Sequence, residues 1–111
     1  MKVLFMYEKE ERICNLAYIH PLNRNPVKEL AGYLAQNPYV QRIIIFGSSV
    51  TSRCHNDSGV DIYVELSVNK KETEHLINRL FDFPYDLWTN DTVDDRLKEE
   101  ILKTGVIVYE R

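Results

Sequence analysis

The stretch Phe46–Leu66, FGSSVTSRCHNDSGVDIYVEL, decides how the rest of the chain is read. Just before its glycine lies VQRIIIF, Val40 to Phe46, a short apolar run of the kind buried on both faces of a sheet. Gly47-Ser48 follows at once. A glycine there lets the backbone approach a neighbour closely, and a short helix beyond it would offer free N–H groups to an anion. The stretch closes on an alternating segment in which Val60, Ile62, Val64 and Leu66 point one way and Asp61, Tyr63 and Glu65 the other. That is a strand with one face in the core and a carboxylate on the opposite face, close to a turn suited to anions. No GxxxxGK[ST] loop is present, so the turn is not of the Walker type.

The chain has 111 residues, one domain's worth, with 44% hydrophobic and 28% charged residues, an ordinary globular balance. Its net charge of −3 and the lack of a basic stripe argue against a free-standing nucleic-acid binder. No apolar run nears the roughly 20 residues of a membrane span. The start, MKVLFMYEKEER, is too quickly charged for a signal peptide, so the expected location is the cytoplasm. Cys14 and Cys54 match no metal or redox spacing and read as reduced thiols. The acids Asp91, Asp94, Asp95, Glu99 and Glu100 read as a solvated helix face.

Strands and helices alternate along the chain. KVLFMY and ICNLAYI, within Met1 to His20, suggest a hairpin or one uneven helix, and PLNRNP a turn-rich break. Asn25 as cap and Pro26 at the first helical position would start a helix whose buried face holds Val27, Leu30, Ala31 and Leu34, stopped by Asn37-Pro38. Asn69 with Glu72 resembles a capping box for a second helix containing Leu76, Ile77 and Leu80. FPYDLW is a strand with Tyr85 and Leu87 on one face and Asp86 and Trp88 on the other. Its Pro84 belongs at the strand's start or on an edge. A third helix runs from about Asp94 to Lys103, ended by Gly105, and VIVY closes the chain as a strand. The expected fold is α+β, an α/β sandwich with a small mixed sheet and helices mainly on one face, all in one domain.

Asp61 and Asp86 both point away from the core. On neighbouring strands they would meet beside Gly47-Ser48, and two hard oxygen ligands next to a phosphate-binding turn suit Mg²⁺. Phe46-Gly47-Ser48, then Ser58-Gly59-Val60-Asp61-Ile62, then Tyr85-Asp86-Leu87 resemble the motifs of the minimal nucleotidyltransferases of the DNA polymerase beta-like superfamily. That pattern reads hydrophobic-Gly-Gly/Ser, then Ser-Asp-hydrophobic-Asp-hydrophobic, then a third carboxylate on a later strand. The closing helix and LKTGVIVYE also look like the family's ending. The resemblance runs from about Val27 onward, leaving residues 1–25 as an extension outside it.

The resemblance implies a polymerase beta-like fold in which Gly47 and Ser48 hold a triphosphate. Asp61 would bridge metals, and Asp86 would bind the catalytic Mg²⁺ and help activate an acceptor hydroxyl. Members often carry arginine just after Gly-Ser; here Ser49 stands there and Arg53 follows later. The first carboxylate of the family's pair falls at position 59, which is glycine. Asp57 has the same parity but reads as a loop residue. Glu65 would lie about 13 Å from Asp61 at 3.3 Å per residue, too far to share a metal. Water could take the vacant ligand place, because Mg²⁺ usually retains several waters.

Tyr63 and Trp88 share the face of the aspartates and would stack on a base, cover the sheet or meet a partner. His20, His55 and His75 show no ligand spacing, and Lys70 and Lys71 read as surface residues. Two functions from different classes are expected. One is Mg²⁺-dependent transfer of a nucleoside monophosphate from an NTP to an acceptor hydroxyl on a protein, nucleic acid or small molecule. The other is an impaired, antitoxin-like binding module acting with a helical partner protein; a purely structural domain is the bland third. A chain this small would need a homo-oligomer or such a partner to wall the cleft.

Overall fold

The computed structural model describes residues 13–51, 59–67 and 85–111. The expected strand KVLFMY, the helix opened by Asn69, and Arg53, Cys54, His55, Asp57, Lys70, Lys71, His75 and Pro84 lie outside them. Four strands form one mixed sheet: β1 Val40–Phe46, β2 Val60–Leu66, β3 Tyr85–Thr89 and β4 Val106–Glu110, in the order β3-β2-β1-β4. β1 pairs antiparallel with both β2 and β4, whereas β2 and β3 are parallel. The α+β class and the mixed sheet are as the sequence pattern predicts.

β1 owes its central place to its composition. Ile43 and Ile45 face one core with Val60, Ile62, Val64, Leu66 and Val108, while Ile44 and Phe46 face a second with Tyr63 and Ile101. Helix α1, Pro21–Ala35, supplies Val27, Leu30, Ala31, Leu34 and Ala35 to the first core. Helix α2, Asp95–Thr104, supplies Ile101 and, partly buried, Leu97 to the second. The two described helices thus lie on opposite faces of the sheet.

This arrangement changes the reading of Tyr63. The side chain is fully buried beneath α2 with no exposed surface, so it neither stacks on a nucleobase nor meets a partner. Burial pushes its phenol up, Glu65 adds to the effect, and Arg42 opposes it. Trp88, opposite Tyr63 in the β2–β3 register, is half-buried and packs against Phe46 with ring centroids 5.5 Å apart.

Two further expectations are corrected. α1 begins at Pro21, not after Asn25, so PLNRNP is helical and Pro26 lies inside the helix. Pro21 already provides the favourable proline start, its missing N–H being one the first turn leaves unpaired anyway. The His20 ring accepts from the Leu22 N–H at 3.2 Å as the cap, and Arg24 holds the approach by donating to Leu16 and Ile19 carbonyls at 2.9 and 3.0 Å. Nor is ICNLAYI a strand. Cys14 makes one backbone bond to Val108 of β4, Asn15 turns left-handed at φ 59°, and Leu16–Tyr18 is a single 3₁₀ turn.

α2 follows expectation closely. Asp94 caps it through the Leu97 N–H at 2.7 Å, and its acids Asp95, Glu99 and Glu100 are exposed. Gly105 ends it because of space: a Cβ there would collide with the Ile44 side chain and the Ile101 carbonyl. Gly105→Ala should therefore cost about 1–3 kcal/mol through overpacking. Chemical denaturation would read this as a lower midpoint at unchanged slope, and a wild-type midpoint would refute the packing argument.

Candidate functional site

The site is built from the ends of β1, β2 and β3. β1 and β2 are in register at Phe46 and Asp61, so the chain leaves β1 at Gly47 directly beside the Asp61 backbone. Gly47 has φ 72°, in the left-handed region, and opens a 3₁₀ turn, Gly47–Val50. The Asp61 carboxyl occupies the space a side chain at 47 would need. Glycine is thus required twice at this position, by conformation and by contact. The turn and the strand read separately from the sequence become one compact object here: the Gly47 turn touches the outward carboxylate of Asp61.

Asp86 completes it. β2 and β3 run in parallel register with Asp61 opposite Asp86, so the two carboxylates stand on one face of adjacent strands. Asp61 is half-buried and Asp86 exposed. Burial is the main reason the Asp61 carboxyl is pushed above its ordinary value, and the neighbouring Asp86 charge adds to it. Among the described residues no cation lies within ion-pair distance of either. Arg42 is engaged elsewhere, with Glu65 at 2.9 Å and, more loosely, Glu110 at 4.0 Å. Glu65 is accordingly committed to Arg42 and is no part of the aspartate pair.

Gly59 lies just before β2 with Asp61's parity but brings no side chain. The described residues hold no group of three or more acidic, histidine or cysteine side chains able to enclose a metal. The donor set is thus two carboxylates, which fits a hard cation that keeps several waters and takes its remaining ligands from phosphate oxygens. Arg53, the remaining expected phosphate contact, lies outside the described residues.

One residue at the site escaped the sequence reading. Asn23, only 6% exposed on α1, donates from its amide to the Ser49 hydroxyl at 2.9 Å and to the Gly59 carbonyl at 3.4 Å. The backbone N–H of His20 also donates to Ser49 O at 2.7 Å. The available signal was its spacing. Asn23 stands four residues before Val27 and so extends the buried stripe of Val27, Leu30 and Leu34 by one turn, where a polar side chain needs a partner. Starting the helix after Asn25 hid that stripe.

The sequence profile of the polymerase beta nucleotidyltransferase family matches residues 28–111. The chain belongs to that family. Among solved structures, a candidate nucleotidyltransferase from Sulfolobus solfataricus is 19% identical, with 96% of this chain and 87% of that chain covered at a TM-score of 0.47. No curated protein matches the sequence.

The aspartate pair sets a pH expectation. A carboxyl whose folded pKa is raised favours folding fully below its unfolded value, and that contribution is lost as pH rises through the folded value. Asp61→Asn should therefore raise thermal stability at neutral pH and flatten the decline in stability above the ordinary carboxylate range. In Asp86→Asn, carboxyl NMR should show Asp61 titrating at lower pH than in wild type yet still above normal, because burial is the larger cause. An unmoved titration would show that the two charges do not interact.

Proposed function

We propose that the protein is a Mg²⁺-dependent nucleotidyltransferase that moves a nucleoside monophosphate from an NTP to an acceptor hydroxyl. The observation that carries this reading is the direct register of Asp61 with Asp86 beside the Gly47 turn. Like charges placed opposite each other on adjacent strands are destabilising. A cation between them would relieve that repulsion, and phosphate oxygens would complete its coordination.

In this reading Asp61 and Asp86 hold the metal, and the backbone N–H groups of Gly47 and Ser48, with Arg53, hold the triphosphate. Bound Mg²⁺ supplies charge neutralisation on the phosphates and acidifies the acceptor hydroxyl. The acceptor oxygen attacks the α-phosphorus, the bond to the α–β bridging oxygen breaks, and pyrophosphate leaves. Asp86, the solvent-facing member of the pair, meets the incoming hydroxyl and takes its proton. Orientation of the two reactants, worth several kcal/mol of the barrier, falls to the turn and the strand ends. The acceptor is a protein, a nucleic acid or a small molecule, held with the help of a second copy or a helical partner. No described helix is long and apolar enough to cross a membrane, and a reaction that consumes NTP would suit a cytoplasmic location.

Gly59 favours a second reading, in which the fold binds nucleotide without turnover and serves as an antitoxin-like module beside a helical partner. The two readings separate experimentally. Trp88 is the sole tryptophan and follows Asp86 by two residues, so its fluorescence should respond to Mg²⁺ with NTP. Asp61→Asn and Asp86→Asn should each weaken that response by about 10²-fold, since together they are the described donor set. Label from an α-phosphate-labelled NTP appearing on an acceptor supports the transferase, while saturable binding without label transfer supports the module. A wild-type protein blind to Mg²⁺ with every NTP would overturn both. Gly59→Asp should tighten binding by adding a hard ligand, and an unchanged affinity would place position 59 away from the metal.

A further inference from the structure

The segment preceding the family region contributes to the site's geometry. The Gly47–Val50 turn and Gly59 at the start of β2 are separated along the chain, yet the two meet through Gly47 and Asp61. The Asn23 amide spans the gap, with Ser49 Oγ on one side and Gly59 O on the other. Ser49 follows Ser48 directly, and Gly59 precedes Asp61 by two residues, so the bridge reaches its partners one and two residues from the proposed chemistry. Asn23 is itself held firmly. It lies in the first turn of α1, where His20 binds the Ser49 carbonyl and Arg24 fastens the preceding residues. Ser49 has no exposed surface, so water cannot readily replace the lost donor.

We propose that Asn23, which lies outside the residues matching the family, is a positioning residue that sets the spacing between the triphosphate turn and the Asp61 strand. The assignment rests on the nucleotidyltransferase reading for its consequence, though its geometry does not depend on it. Asn23 touches no substrate. It acts through Ser49 on Ser48, and through Gly59 on Asp61. Position 59 is thus braced from behind by an amide in the first turn of α1, ahead of the residues that match the family.

The test compares Asn23→Ala, Ser49→Ala, the double variant and Val27→Ala. Val27 is buried one turn further along the same helix and is not bonded to the turn, so it reports what a loss of α1 packing alone would do. At a temperature where all variants are folded, Asn23→Ala and Ser49→Ala should each weaken Mg²⁺–ATP binding, read by Trp88 fluorescence, about tenfold. The double variant should be little worse than either, and Val27→Ala should remain at wild-type affinity. Equal weakening in Val27→Ala would reduce Asn23 to a packing role and overturn the proposal. Amide hydrogen exchange of Ser48, Ser49 and Val50 requires no nucleotide and decides the matter even if wild type ignores Mg²⁺–ATP. Faster exchange there in Asn23→Ala, but not in Val27→Ala, supports the proposal; wild-type exchange overturns it. If Asn23→Ala does not fold, Ser49→Ala carries both measurements.

Discussion

The contact between the α-carbon of Gly47 and the carboxyl of Asp61 is the constraint around which the rest is arranged. It exists because β1 and β2 are still paired at Phe46 and Asp61 when the chain turns away. That pairing is secured by burial on both sides of β1, where alternate isoleucines enter two separate cores. A slip of one residue would exchange the faces and send Asp61 into the core with Val60 and Ile62 outward, a large cost in apolar exposure and charge burial. The hydrophobic pattern therefore holds the carboxylate in place more firmly than any bond to the carboxylate does.

The price of the arrangement is local. Two carboxylates face each other across β2 and β3 without a described cation near either, and the first of them is half-buried. At the far end of β2 the polar groups are by contrast paired. Asn90 bonds both the N–H and the carbonyl of Leu66 at 3.0 and 3.1 Å, extending the ladder with its side chain, and Arg42 satisfies Glu65. The like-charge pair stands at the end of the sheet where the turn lies, and such perturbed pairs cluster at functional sites.

Much of this was legible in the residues. The apolar run of β1, the alternation of β2 and the parity of Tyr85-Asp86-Leu87-Trp88 each follow from burial alone, so the side of the sheet on which Asp61 and Asp86 stand could be read directly. α2 was equally clear, since Asp94, Leu97, Ile101 and Gly105 combine a cap, a buried stripe and a tight stop. The misreadings have a common physical source. Pro21 and Pro26 are both acceptable helix starts by local chemistry, and only the tertiary contacts of Asn23 and His20 select the earlier one. Tyr63 has the parity of an exposed residue, and nothing near it in sequence tells that α2, more than thirty residues later, folds over it. Local periodicity reports which side a residue takes, not what covers that side.

Asp61 and Asp86 each stand second in their strands, after Val60 and Tyr85. The sheet thus fixes their relative placement through the β2–β3 register. Lengthening a flexible connection twofold costs only about 0.6 kcal/mol in closure entropy. Insertions ahead of either strand would therefore cost little and leave the register of the two acids unchanged. The domain is in this sense a chassis: its strands carry the inheritance of the acid pair, whatever the length of chain between them.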